Sequence, residues 1–253
     1  MKKGILVVAL VTMVFGYVNA QIVTDRPDQT ESSSTIGPGD LQIEGGILVA
    51  YEADAAALAS NRQFLLPTNL LRYGLTDWIE LRFVSQFETG RISDVNVQGI
   101  SDLQIGIKIQ LLQDENKNAE IALLSHFVFP TGTQELTAGV VGMINKLCMS
   151  YDLSDNVGLG YNVGLSYLGE DIDLTYTLAL GTSVNDKVGI YIEPYGQVTE
   201  FEEFVLNFDT GFTYLANDNL QLDFSFGTGV THNMNYISVG ASWLMERKSE
   251  VSK

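Results

Sequence analysis

The chain is poor in the residues from which metalloenzymes and disulfide-bonded exported domains are built. Cys148 is the one cysteine among 253 residues, so no intrachain disulfide can form. A lone cysteine of this kind reads as a small strand residue before it reads as a nucleophile or a ligand. His126 and His232 are the two histidines, and with Cys148 they leave little material for a zinc site. No catalytic residue, metal or cofactor is therefore expected. Charged residues are sparse, at 18%, and one-sided, since 14 Lys and Arg stand against 31 Asp and Glu for a formal net charge of −17. Nucleic acid needs a basic surface, so it is excluded as a partner. Past the N-terminus, no apolar run reaches the ~18 residues that would read as a membrane helix.

The N-terminus itself has the composition of an export signal. Met1-Lys2-Lys3 is basic, residues 4–18 are largely apolar, and Val18-Asn19-Ala20 offers the small residues that precede a signal-peptidase cut. Residues 1–20 are read as a cleaved signal peptide and Gln21 as the mature start. The absence of cysteine at that position argues against a lipoprotein. Loss of Lys2 and Lys3 takes the formal charge from −17 to −19.

What the chain does have is a period of two. In residues 157–167 every odd position is apolar or aromatic (Val157, Leu159, Tyr161, Val163, Leu165, Tyr167) and every even one is Gly, Asn or Ser. Successive side chains on a strand point to opposite faces, so this stretch has one bulky face and one small, polar face. Residues 172–181 and 188–195 repeat it, as do residues 41–51, 78–87, 103–111, 139–151, 204–214 and 220–227. A soluble sandwich would carry many Lys and Glu on its outer face. Apolar residues outward and small or polar residues inward is the pattern of a barrel in lipid.

The reading is all-β: a transmembrane antiparallel up-and-down β-barrel over residues 41–245, with about 12 strands of about ten residues. Residues 21–40 are aperiodic and residues 246–253 form a tail. Asp- and Asn-rich turns at 76–77, 154–156, 185–187 and 217–219 alternate with longer connections at 52–61, 88–99 and 131–138, as expected when short turns face the periplasm. Both termini then lie at the short-turn end, which makes the strand number even. Closure is required because an open edge would strand backbone donors and acceptors in hydrocarbon. Tyr51, Tyr73, Trp78, Tyr151, Tyr167, Tyr214, Tyr236 and Trp243 fall near strand ends, as interfacial girdles do.

Ser238, Gly240, Trp243 and Met245 are spaced like the terminal strands by which bacterial barrels are recognised, which implies the barrel-assembly machinery as a biogenesis partner and outer-membrane lipid as the surroundings. The block Thr24-Asp25-Arg26-Pro27-Asp28-Gln29-Thr30-Glu31-Ser32, followed by Gly39, Gln42, Glu44 and Gly45, resembles the opening of an outer-membrane family described as putative MetA-pathway of phenol degradation. Residues 72–82, 99–108 and 129–132 are similar to its later blocks. The resemblance spans essentially the whole mature chain. It implies an outer-membrane channel or transporter of a Gram-negative bacterium, tied in some members to aromatic or hydrophobic compounds.

If the apolar face meets lipid, the lumen receives Glu44, Arg72, Glu80, Arg82, Lys108, His126, Lys146, Glu193, Asp209 and Asp223. Such a set can be interior ion pairs that hold a narrow barrel together, or a selectivity surface for a small solute. Asp25, Arg26, Asp28 and Glu31 lie just before the first strand and are the candidates for a plug, folding inward with their carboxylates near Arg72, Arg82 or Lys108. A periplasmic tail is the alternative. The function expected is passage of a small solute, hydrophobic or aromatic, through a charged lumen, with a structural or surface-interaction barrel as the second reading. A barrel hydrolase needs a nucleophile beside a base, and adjacent Ser125 and His126 would point to opposite faces of one strand.

Overall fold

The computed structural model describes residues 22–54, 59–92, 95–114 and 118–247. The expected signal peptide, and residues 248–253 of the expected tail, lie outside the described residues. Thirteen strands run in chain order: β1 (Leu41–Asp54), β2 (Ala59–Thr76), β3 (Ile79–Ile92), β4 (Val95–Ile100), β5 (Leu103–Asp114), β6 (Ala119–Phe129), β7 (Gly142–Ser154), β8 (Val157–Leu168), β9 (Asp171–Asn185), β10 (Val188–Thr199), β11 (Glu203–Asn217), β12 (Leu220–Gly229) and β13 (Asn233–Met245). Each pairs antiparallel with its neighbour. Pairing of β1 with both β2 and β13, and of β2 with β3, closes the sheet into a ring.

β4 and β5 lie one after the other along β3, against Phe87–Ile92 and Ile79–Val84 respectively. They act as one interrupted crossing, which makes the wall a 12-strand transmembrane barrel. Both termini of the barrel lie at the short-turn end, where Leu41 pairs with Met245.

The two faces divide as the alternation requires. Outward are Ile105, Phe127, Val163, Leu178, Ile192, Phe212, Leu222 and Ile237, all exposed on the isolated chain. Inward are buried polar residues such as Gln42, Glu44, Arg72, Lys108, Asn162 and Glu193. Tyr73, Trp78, Tyr151, Tyr214 and Trp243 project outward near the turn end, and Tyr51 and Tyr167 near the other. That gives two belts at interfacial height. Tyr236 departs from the expected girdle. It is 5% exposed and points into the lumen, in phase with Ser238 and Ser242.

The connections correct the expected asymmetry. Residues 88–99 are a hairpin and not a long loop: Thr89 opposes Gln98, and Ile92 opposes Val95, leaving residues 93 and 94 between. β1 and β2 pair as far as Asp54 and Ala59, so little of the alanine-rich loop remains, and its residues 55–58 lie outside the described residues. β2 continues through Pro67, where the register slips between Leu65 and Thr68 because proline has no N–H to give the ladder. Among the described connections, the longest is the one from β6 to β7.

Residues 22–40 form no strand, yet they lie inside the barrel. The chain enters β1 through a turn in which the Asp40 N–H donates to the Gly37 carbonyl at 3.1 Å and Gly39 has φ of +87°. Pro38 then Gly39 at the centre is the type II arrangement, which needs a residue free to take positive φ.

Candidate functional site

An aperiodic segment in a lumen leaves its backbone groups without ladder partners, and each must be met by something else. Here the wall meets them with side chains. Glu44 Oε2 accepts the Asp25 N–H at 2.9 Å, Glu193 Oε2 the Gln29 N–H at 2.7 Å, Asn162 Oδ1 the Glu31 N–H at 2.7 Å, and Glu80 Oε2 the Ile36 N–H at 3.1 Å. Gln42 and Arg72 both donate to the Val23 carbonyl, at 2.8 and 2.9 Å. Nearer the turn end, Ser33 and Ser34 donate to Glu120.

A basic cradle on β2, β3 and β5 holds the carboxylates of Asp25 and Glu31. Arg72 Nε and Nη2 take Glu80 in a two-point clasp at 2.9 Å each, while its Nη1 donates to Glu44 at 2.9 Å. Arg82 Nη1 bridges Asp25 at 2.6 Å and Glu80 at 2.9 Å, and its Nη2 reaches Glu31 at 2.7 Å. Lys108 Nζ lies 3.2 Å from Asp25 Oδ1, and Lys146 on β7 lies 3.3 Å from Glu31. Asp25 Oδ1 also accepts the Ser32 N–H at 2.7 Å, which closes residues 25–32 into a compact loop.

His126 orients this cradle. Arg82 Nε donates to His126 Nε2 at 3.0 Å. A guanidinium has no acceptor, so Nε2 must be unprotonated and the ring proton sits on Nδ1, facing Gln104 Oε1 at 3.0 Å. Ser125, next to it, points to the other face and donates to Asn145 at 2.8 Å. The two side chains are therefore apart.

On the opposite wall, Arg26 donates to both oxygens of Asp223 on β12, at 2.9 and 3.2 Å, and to Ser238 at 3.0 Å. Its guanidinium lies in a trough floored by Gly46 and Gly240, where a Cβ at either position would collide with it. Asp209 and Glu193 face each other across β11 and β10. Tyr236 donates to Asp209 Oδ2 at 2.5 Å, and Thr30 donates to Glu193 Oε1 at 2.5 Å.

All the residues expected in the lumen thus face inward, and Asp25, Arg26, Asp28 and Glu31 lie among them. The segment stands between cavities. A turn-end cavity of about 560 Å³ is lined by Ile22, Ser33, Asn156 and Tyr191. On the other side lie cavities of about 480 and 570 Å³, which share Gln29, Lys146, Thr175 and Gln197. The smaller of these has an apolar wall that the charge pattern does not reveal, made of Leu48, Leu70, Val84, Leu124 and Ile144. Each falls on an inward position of its strand, so parity could have found them.

A family model described as "Putative MetA-pathway of phenol degradation" matches residues 24–243. The chain belongs to this family. The match begins at Thr24, so in this MetA-pathway family member it takes in the lumen segment as well as the wall. No curated protein sequence gives a significant match. Among solved structures, the COG4313 outer membrane channel from Pseudomonas putida F1 superposes with a TM-score of 0.71 at 11% identity, covering 87% of this chain and 100% of that one. The KdgM porin in complex with disordered oligogalacturonate gives 0.56 at 9% identity, over 81% and 99%. The translocator domain of the autotransporter NalP from Neisseria meningitidis gives 0.51 at 10% identity, over 82% and 89%. At such identities the likeness is one of fold, that of outer-membrane barrels.

Proposed function

We propose that this protein is an outer-membrane channel that passes a small hydrophobic or aromatic solute, with the N-terminal segment as the constriction it must pass. The observation that carries this reading is the loop-end cavity of about 480 Å³, in which the apolar patch of Leu70, Val84, Leu124 and Ile144 adjoins the polar floor of Glu31, Arg82, His126 and Lys146. Cavities of roughly 300–1,000 Å³ with an apolar lining and a few placed polar groups suit small molecules. The family description and the channel likeness support transport. The charged residues of the floor act here as orienting groups for the solute's polar end and as anchors of the constriction. Export by a signal peptide and assembly by the barrel machinery belong to the same reading.

A second reading, a structural barrel without transport, is favoured by one observation: Asp25, Glu31, Glu44 and Glu80 are each tied to a wall cation, as in a permanent closure. Planar-bilayer recordings of the mature protein and of a form lacking residues 21–34 separate the two. The channel reading expects conductance steps in the intact protein, blocked by small aromatic solutes, and larger steps in the deletion. Silence in the intact protein together with steps in the deletion would support permanent closure.

A further inference from the structure

Arg82 and His126 come from strands that do not pair with each other. Gly106 on β5 stands opposite both, Arg82 on β3 and His126 on β6. Because Gly106 has no side chain, the two can meet above it, and a Cβ at that position would collide with the His126 ring. The ring is thus seated on bare backbone, held at Nδ1 by Gln104 and offering Nε2 to Arg82. Arg82 gives its other N–H groups to Glu80 of the wall and to Asp25 and Glu31 of the segment. The bond to His126 therefore fixes, at one remove, where the carboxylates of the segment sit.

That bond depends on an uncharged imidazole. A proton on Nε2 would turn the acceptor into a donor aimed at another donor, and would set a second positive charge beside the guanidinium. The surrounding charges are already matched: Arg82 and Glu80 from β3, Lys108 from β5, Lys146 from β7, and Asp25 and Glu31 from the segment are all engaged in ion pairs with one another. The imidazole also has a path to solvent, since His126 lines the loop-end cavity of about 480 Å³ together with Arg82, Glu31 and Lys146. The two carboxylates are not equally secured. Asp25 has Lys108, Arg72 and the Ser32 N–H besides Arg82, whereas Glu31 has Lys146 at 3.3 Å, with both side chains 19% exposed.

We infer that His126 is the positioning residue of the constriction and the latch through which acid loosens it. With Nε2 bare, it holds Arg82 in place and, through Arg82, Asp25 and Glu31. With a proton taken from solvent onto Nε2, it drives the guanidinium away from β6, and Glu31 is the carboxylate released. The backbone of Glu31, bonded through its N–H and carbonyl to Asn162, is then the part of the segment that loosens first. The inference rests on the channel reading for what this does to flow, while the latch rests on the contacts themselves.

Two readings test it, each taken from neutral pH into acid. Conductance of the intact protein in a planar bilayer is expected to rise, and the protection factor of the Glu31 amide, from hydrogen exchange in detergent, is expected to fall over the same range. His126→Gln keeps an oxygen acceptor for Arg82 but gains no proton, and should make both readings flat. Gln104→Glu sets a carboxylate beside Nδ1, which favours the imidazolium, and should move both responses toward neutral pH. A response that survives in His126→Gln would belong to the carboxylates of the segment and overturn the latch. So would a response unmoved in Gln104→Glu, or a Glu31 protection factor in the intact protein that acid leaves unchanged. If protection responds as expected while every form is silent in the bilayer, the channel reading fails and the latch stands.

Discussion

Asp25 is the residue on which the lumen network converges. Its carboxylate meets Arg82 at 2.6 Å and Lys108 at 3.2 Å, and holds the Ser32 N–H. Removing one partner of a buried pair leaves the other's charge uncompensated, which typically costs about 3–5 kcal/mol. Asp25→Ala should therefore lower the unfolding free energy measured in denaturant by an amount of that order, and should free the segment, read as raised conductance. Asp25→Asn, which keeps hydrogen-bond capacity, should lose less. The trough for Arg26 gives a second expectation at this scale. Gly240→Val would place side-chain atoms where the guanidinium lies, so the Arg26–Asp223 pair should break. The check is a double-mutant cycle: Asp223→Asn should destabilise the native protein and have little further effect in the Gly240→Val background.

Among the elements, the interrupted crossing of β4 and β5 is the least regular part of the wall. Asp102, at the interruption, accepts the N–H groups of Gly132 and Ala138, each at 2.9 Å, and so ties the β6–β7 connection to the wall. Burial raises its pKa, but the Thr137 hydroxyl and these N–H groups outweigh it and hold the carboxyl below its ordinary value. A depressed folded pKa contributes stability that is present above the unfolded value of about 3.9 and is lost as the pH falls through the folded one. The protection factors of the Gly132 and Ala138 amides should thus be high at neutral pH and fall only in acid below about pH 4. In Asp102→Ala they should be low at both. The entry turn was legible, since Pro38-Gly39 between Gly37 and Asp40 suits a type II turn. The hairpin at residues 88–99 was not, because Arg91, Asn96 and Gln98 are polar and mask the alternation that cross-strand pairing alone makes plain.

For the whole molecule, ring closure rests on backbone ladders that do not involve residues 22–40, as the pairing of β1 with β2 and β13 shows. The form lacking residues 21–34 should therefore still fold as a barrel. Unheated in detergent gels it should migrate apart from its boiled form, as the intact protein should. Loss of that heat-dependent shift would mean that the segment is needed to build the wall as well as to fill it. The sequence determined the two faces, the turns at the shared end of the termini and the inward set from Glu44 to Asp223, because the direction of a side chain on a strand follows from local backbone geometry. Even Tyr236 was legible by its phase with Ser238 and Gly240, and was misplaced only by its position near a strand end. The tertiary structure alone decided that Arg72 clasps Glu80 and Glu44, that the apolar patch faces the loop-end cavity, and that an aperiodic segment folds into the lumen. Those contacts join residues from strands whose mutual register and curvature are fixed only when the ring closes, and no local period of the chain encodes them.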